Sequence, residues 1–207
     1  MPNTPASVAL ANASAKFDNL TDNMPSLTIN TANASVAPEG AAAALRSLKL
    51  TDVTSSAARL SWLTDVNGAV VVRYGKTGES LNMIATFDSK VLDGGMRMVQ
   101  LLKLEPETEY SYEIVVNGVT YNNNGQPFTF TSAKMGAGLP YTVYGRMLDE
   151  NGNALAKALV YVELKNKDLV SAPLLAITDE KGYWNVNLGN FKNAADGEVF
   201  QWSVGDE

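Results

Sequence analysis

The chain has 207 residues, 45% of them hydrophobic, and a formal net charge of −6 from 16 Lys and Arg against 22 Asp and Glu. The hydrophobic fraction is sufficient for packed cores, and an acidic chain without a basic run argues against a nucleic-acid-binding surface. Cysteine and histidine are both absent from the sequence, which excludes disulfides, thiolate metal sites, histidine–metal centres and every catalytic triad that uses an imidazole.

The sequence shows neither a membrane span nor a secretion signal. No stretch approaches the roughly 20 apolar residues of a membrane helix. The first residues, MPNTPASVALANASA, have no basic region and no continuous apolar region. Either a leader has been removed or the protein is not exported by that route.

Residues 1–45 predict an extended or flexible tail, because they are rich in Ala, Asn, Ser and Thr and have few large apolar side chains to offset the entropy of ordering. One stretch, SLTINT at 26–31, alternates polar and apolar residues and predicts a short strand. The tail also contains Asn-x-Ser/Thr sequons at Asn12, Asn19 and Asn33, a pattern that arises easily by chance in this composition.

Residues 46–134 predict a series of short strands with an apolar side chain at every second position, the pattern of an antiparallel β-sandwich. Turn sequences such as Asn67-Gly68 and Asn124-Gly125 separate the strands. The alternating segments are ARLSW at 58–62, VVVRY at 70–74, RMVQLLKL at 97–104, YSYEIVV at 110–116 and FTFTS at 128–132.

The motif L-x-P-x-T-x-Y-x-Y at 104–112, together with a tryptophan in the second predicted strand, resembles fibronectin type III domains. In such a sandwich the corner tyrosine is buried while its hydroxyl bonds to backbone a few residues upstream. The resemblance covers about 46–134 and implies a fold rather than an activity, because this scaffold serves many roles. It assigns fold-defining positions to Trp62, Pro106, Tyr110 and Tyr112.

Residues 135–140 predict a hinge, and residues 141–207 predict a second set of strands with turns at DENGN and TDEKG. These turns and the alternation between them resemble the carboxypeptidase-regulatory-like, prealbumin-type sandwich. The predicted fold class is therefore all-β, with two tandem antiparallel β-sandwiches and an extended N-terminal tail.

The prealbumin-type family has at least one more strand after the segment that corresponds to EVFQWSV at 198–204, whereas this sequence ends at GDE. By family pattern the second sandwich lacks its last strand, and its edge beside Phe200, Trp202 and Val204 is open. The tail offers a strand with Leu27 and Ile29 as its apolar pair. We predict that the tail of one copy inserts at the open edge of the next copy and so builds a filament.

Several patterns have both a chemical and a structural interpretation. Asp149 opens the oxygen-rich turn DENGN, but a calcium loop needs a glutamate at its twelfth position, so a plain hairpin turn is favoured. A lysine–asparagine isopeptide bond, as in some prealbumin-like modules, would need Lys157 or Lys165 beside an inward Glu163, whereas the alternation places Glu163 outward. The other acids lie in turns, which favours a solvated surface over a catalytic pair.

Aromatic residues give a further pair of interpretations. Tyr141 and Tyr144, or Trp184 and Trp202, are candidates for a strip that stacks on sugars. Both tryptophans fall in apolar positions of their segments, so core packing is favoured for them.

These observations predict a non-catalytic structural protein, extracellular or on the cell surface, with no catalytic residue, cofactor or metal. Its expected partners are copies of itself, other surface proteins or glycans, and we expect neither a nucleic-acid partner nor a membrane span. One alternative is a spacer in a larger secreted hydrolase, a phosphatase or a carbohydrate-active enzyme, because LSWLTDVNGAVVVRYGKTG resembles the module that precedes the catalytic domain of purple acid phosphatases. The other is an adhesin module that binds sugars or proteins through loops such as 121–126.

Overall fold

The computed structural model describes residues 26–30, 45–64, 69–87, 96–166 and 168–202, which are almost entirely β-strands and connecting turns. The tail contributes β1 (Ser26–Asn30). The middle of the chain contains β2 (Arg46–Thr51), β3 (Ala57–Leu63), β4 (Val70–Lys76), β5 (Met83–Ile84), β6 (Thr86–Phe87), β7 (Met96–Leu102), β8 (Glu109–Val116), β9 (Val119–Tyr121) and β10 (Phe128–Thr131). The last third contains β11 (Thr142–Arg146), β12 (Leu159–Asn166), β13 (Leu169–Val170), β14 (Leu174–Ile177), β15 (Tyr183–Asn187) and a 3-10 turn at Leu188–Asn190.

Strands β2 to β10 form a sandwich of two antiparallel sheets, which we call the first module. One sheet has the order β2-β3-β7-β6, and the other has the order β10-β8-β4-β5 with β9 beside β8. This matches the arrangement of immunoglobulin-type sandwiches, in which the first, second and fifth strands share a sheet. The alternating side chains of both sheets meet in one core that includes Leu60, Trp62, Val72 and Ile114. The predicted antiparallel β-sandwich is therefore confirmed for this module, whereas membership of the fibronectin type III family stays a prediction.

Tyr110 has the hydrogen-bond geometry of a tyrosine corner. The buried Tyr110 accepts a hydrogen bond through its hydroxyl from the backbone N–H of Glu105, with the two heavy atoms 2.8 Å apart. Pro106 lies in the exposed turn between them. The buried ring of Tyr112 stacks on Phe128 with the centroids 5.2 Å apart.

Two-residue turns with positive φ close the hairpins of this module. Asn117 and Gly118, at φ 49° and 82°, join β8 to β9, and Asn124-Gly125 has φ values of 51° and 89°. Such pairs occur in type I′ turns, whose twist matches that of the strands, and Asn and Gly tolerate this conformation best. The predicted turn at Asn67-Gly68 lies outside the described residues.

Strands β11 to β15, together with β1, surround a second core, and we call this part the second module. Its sheets are β1-β12-β13, with β14 also paired to β12, and the antiparallel pair β11-β15. The core contains Val160, Val162 and Leu164 from β12 with Trp184 and Phe191 from the facing side. All of these pairings are antiparallel, as predicted, whereas membership of the carboxypeptidase-regulatory-like family stays a prediction.

The strand predicted at 198–204 is wrong over its described part. Val199 forms a single bridge to Lys192, and residues 200–202 lie outside any strand. The backbone N–H of Phe200 donates to the carbonyl of Phe191 at 3.0 Å while the ring is buried in the core. A loop that inserts alternate apolar side chains into a core has the same sequence period as a strand, so alternation alone did not distinguish them.

The two modules contact each other through the outer faces of their sheets. Tyr161 and Leu175 of the second module pack against Met98 of β7, and the hydroxyls of Tyr161 and Ser61 form a buried hydrogen bond of 2.9 Å. The predicted hinge, 135–140, carries backbone bonds to the second module, including one from Gly138 N–H to the Gly189 carbonyl at 2.8 Å. The division into modules at these boundaries stays a prediction.

Candidate assembly site

The tail strand β1 pairs with β12 of the second module. The two strands run antiparallel over five residue pairs, from Ser26 opposite Lys165 to Asn30 opposite Tyr161. The strand predicted in SLTINT is therefore present, and it adds to the β12 sheet rather than beside Phe200 and Trp202. In the single chain the pairing is intramolecular.

Hydrogen bonds on the far side of β12 show which groups face β1. The N–H of Leu164 donates to Ser171 Oγ at 2.8 Å, and its carbonyl accepts from the N–H of Ser171 at 2.9 Å. Since the backbone groups of successive residues point to opposite sides of a strand, Glu163 directs its N–H and C=O toward β1. Thr28 lies directly opposite Glu163, so Thr28 directs its own backbone groups toward β12.

The predicted assembly residues lie in two places. The backbone register puts Leu27 opposite Leu164 and Ile29 opposite Val162, both of which are buried core positions of β12. Phe200 is buried in the second core, and Trp202 packs against that core with its ring edge-on to Tyr141, the centroids 5.6 Å apart. Val204 lies outside the described residues. The assembly role of Leu27, Ile29, Phe200, Trp202 and Val204 stays a prediction.

The oxygen-rich turn at Asp149 is a hairpin turn, as favoured from the sequence. Asp149 Oδ1 accepts the backbone N–H groups of Asn151 and Asn153 at 2.9 and 2.8 Å. Hydrogen bonds from Asn153 hold the pKa of the Asp149 carboxyl below its ordinary value. Among the described residues, no group of three or more acidic side chains is placed to hold a metal ion.

The register of β12 agrees with the sequence argument on the isopeptide bond. Val160, Val162 and Leu164 face the core, so Glu163 lies on the opposite face. Of the aromatic candidates for a sugar-stacking strip, Trp184 is only 1% exposed and belongs to the core, whereas Tyr141 and Tyr144 are exposed.

Sequence reasoning missed Asp52, which follows β2 and contacts the second module. Its N–H donates to the carbonyl of Pro173 at 3.0 Å, and its Oδ1 accepts from the N–H of Leu175 at 3.3 Å. Its Oδ2 accepts from Thr51 Oγ1 at 2.9 Å and from Arg59 Nη1 at 3.3 Å. Burial raises the pKa of Asp52, against the opposing effect of Arg59 and the hydrogen bonds. No local motif marks this contact, because the two partners in the second module, Pro173 and Leu175, lie more than a hundred positions away.

A groove of about 450 Å³ lies between the modules, bordered by Phe130 and Val53 on one side and by Pro173 and Lys192 on the other. The ammonium group of Lys192 donates to the carbonyls of Lys134 and Gly136, each at 2.8 Å. Burial lowers the pKa of Lys192. These bonds hold the segment between the modules against Lys192. They also satisfy the buried ammonium group, which would otherwise be costly to remove from water.

Comparison with protein-family models gives no match, and comparison with curated protein sequences gives none either. Among solved structures, the chain is similar to the FN1–FN3 domains of chicken CNTN1, with 10% sequence identity and a TM-score of 0.31. The likeness covers 75% of this chain and 62% of the CNTN1 chain, so this chain spans about three fifths of that structure. A likeness at this level carries no argument about function.

Within the described part of the chain, no helix has the length and hydropathy needed to cross a membrane.

Proposed function

We propose that the protein is a non-catalytic structural or adhesion subunit, extracellular or on the cell surface, that assembles head to tail by donating its tail strand. The observation that carries the proposal is the pairing of β1 with β12. A strand from the start of the chain completes a sheet near its end. The same backbone ladder can be built when β1 comes from a second copy, because its five residue pairs join only Ser26–Asn30 to β12.

The length of the connection allows this exchange. Fourteen residues separate Asn30 from Leu45, and a segment of that length reaches at most roughly 50 Å when extended. The connection within one chain is shorter, since Asn30 lies opposite Tyr161, whose hydroxyl contacts Ser61 in the strand next to β2. The extra reach of the segment between Asn30 and Leu45 supports the proposal that β1 pairs with β12 of a neighbouring copy.

A donated strand gives an open assembly. Donor and acceptor are different surfaces of the chain, so each copy donates at one end and accepts at the other, and such a contact extends into a filament unless its rotation closes a ring. Main-chain hydrogen bonds supply affinity, and alternate side chains supply specificity, for which Leu27 and Ile29 are the proposed residues. This mechanism needs neither a cofactor nor a catalytic group.

Cysteine trapping tests the donation directly, because the native chain has no cysteine. Thr28 and Glu163 lie directly opposite each other in the ladder, so cysteines there are close enough to form a disulfide. We expect mixed Thr28→Cys and Glu163→Cys chains to form disulfide-linked heterodimers on oxidation, seen by non-reducing electrophoresis. Thr28→Cys mixed with Lys181→Cys, whose turn is remote from the ladder, is the negative control.

A second pair of variants tests assembly. Thr28→Pro removes the N–H that faces β12, whereas Thr28→Val retains it and keeps a β-branched side chain. We expect light scattering and negative-stain images to show polymers for the native chain and Thr28→Val, and monomers for Thr28→Pro. Monomers in all three proteins, with no cross-linked heterodimer, would overturn the proposal.

A further inference from the structure

The sheet that receives β1 has a second edge. Strand β14 pairs with β12 on one side, and among the described residues no strand pairs with its other side. Leu175 lies opposite Tyr161, and its N–H points away from β12, since it donates to Asp52. An open edge of this kind presents unpaired N–H and C=O groups that accept strands indiscriminately.

The first module covers this edge through Asp52. The N–H of Asp52 donates to the carbonyl of Pro173 at 3.0 Å, and the Asp52 carboxylate accepts from the N–H of Leu175 at 3.3 Å. Asp52 thus pairs with one acceptor on the residue before β14 and one donor within β14, as a neighbouring strand would. Arg59 also contacts this edge, since its Nη1 lies 3.3 Å from Asp52 Oδ2 and donates to the carbonyl of Leu175 at 3.5 Å.

The backbone conformation of Asp52 directs its N–H toward Pro173 and its carboxylate toward Leu175 of β14. Its φ is +50°, a left-handed conformation that Asp, Asn and Gly tolerate better than other residues. The chain turns at this point, so that β2 ends and the N–H and side chain of Asp52 both face the second module. Asp52→Asn and Asp52→Gly therefore both suit the backbone, and only the glycine variant loses the side-chain oxygen.

We propose that Asp52 is a specificity-determining residue for strand addition, because it closes the β14 edge and leaves the β12 side as the one place where a tail strand adds to this sheet. The inference rests on the proposed strand donation for its biological purpose. The capping itself does not depend on that donation. A second copy of the chain is the partner that the cap excludes from β14.

Hydrogen exchange of the full-length protein tests the cap without reference to assembly. We expect the Leu175 amide to exchange about tenfold faster in Asp52→Gly than in the native chain, a loss typical of one hydrogen bond. Asp52→Asn keeps an oxygen acceptor and is expected to retain the protection. Equal protection of Leu175 in the glycine variant and the native chain would overturn the cap.

The association state tests its consequence. We combine Asp52→Gly with Thr28→Pro, so that pairing of β1 with β12 is blocked. The double variant is expected to form dimers or larger species through β14, measured by light scattering, whereas Thr28→Pro alone stays monomeric. A monomeric double variant would overturn the specificity role. The disulfide between Thr28→Cys and Glu163→Cys chains is a separate test of strand donation. If that disulfide does not form, strand donation fails whether or not the cap is present.

Discussion

Tyr110 carries two roles in one side chain, since its ring belongs to the first core and its hydroxyl holds the turn that precedes β8. The N–H of Glu105 finds its acceptor in that hydroxyl at 2.8 Å. The ring also stacks on Phe130 of β10, with the centroids 5.8 Å apart. The corner thereby connects the turn to the edge of its sheet.

Replacing this tyrosine isolates the role of its hydroxyl. Tyr110→Phe keeps the ring in the core but removes the acceptor of the Glu105 N–H, and we expect the free energy of unfolding to fall by about 1–3 kcal/mol. Urea denaturation measures the loss. Tyr183→Phe, at a side chain that is 47% exposed, is the matched control and is expected to change stability by less than about 0.5 kcal/mol. Equal stability of both variants would contradict the corner.

The hydrogen-bond partner of Tyr110 could be predicted from the sequence, whereas the partner of Asp52 in the second module could not. Tyr110 and Glu105 are five positions apart, so a local motif contains the whole interaction. Asp52 contacts Leu175 from 123 positions away, and nothing near Asp52 in the sequence encodes that partner. Long-range contacts also explain why Ser61, a polar position of the alternating segment ARLSW, is fully buried, since Tyr161 of the second module covers it.

Strand β12 is the central element of the second module, with β1 on one side and β14 and β13 on the other. Ser171 extends the ladder on the latter side, because it bonds both backbone groups of Leu164 with its own N–H and hydroxyl. The hydroxyl stands in for a backbone acceptor where β13 and β14 leave a gap. Strand β12 is thus held by hydrogen bonds on the side opposite β1.

Removing the Ser171 hydroxyl tests whether this residue stabilises β12. Ser171→Ala leaves the buried N–H of Leu164 without its acceptor, and we expect a loss of about 1–3 kcal/mol in the free energy of unfolding. Ser56→Ala, on an exposed bend of the first module, is the control and is expected to stay within about 0.5 kcal/mol of the native protein. An unchanged transition midpoint for Ser171→Ala would show that water or a neighbour replaces the hydroxyl.

Alternation predicts which segments are extended, and it correctly predicts which face of β3, β4 and β8 meets the sandwich core. Alternation does not specify the partner of a strand. The tail segment was correctly predicted as a strand, but its position beside β12 depends on which edge is open once the module has folded. The segment at 198–202 shows the converse, because its apolar residues have the spacing of a strand although the segment forms no strand.

At the scale of the whole molecule, the modules lie against each other through sheet faces rather than through the connecting segment alone. The contact joins an apolar cluster, Met98 with Tyr161 and Leu175, to a polar group around Asp52. Burial of the carboxyl raises the pKa of Asp52. The stability of the joined modules therefore depends on pH.

The direction of this dependence follows from the raised pKa. The folded protein binds the Asp52 proton more tightly than the unfolded chain, so stability decreases as pH rises from the unfolded pKa of about 3.9 through the folded pKa. We expect the native protein to lose stability relative to Asp52→Asn as pH rises from about 4 toward 7. Urea denaturation across that range measures the difference.

A matched control has the opposite sign. The pKa of Asp149 is lowered by its turn, so its contribution is lost as pH falls. The native protein should therefore gain stability relative to Asp149→Asn as pH rises through the carboxyl range. The same slope for both pairs would contradict a raised pKa for the partly buried Asp52 carboxyl.

The separation of β1 from β12 along the chain sets an order of events during synthesis. Ser26 and its partner Lys165 are 139 positions apart (165 − 26), and a ribosome that adds about 5–20 residues each second needs on the order of 10 s to cover that interval. Throughout it β1 has no β12 of its own to pair with. Under the proposed strand donation, this interval is when β1 is available to β12 of another copy.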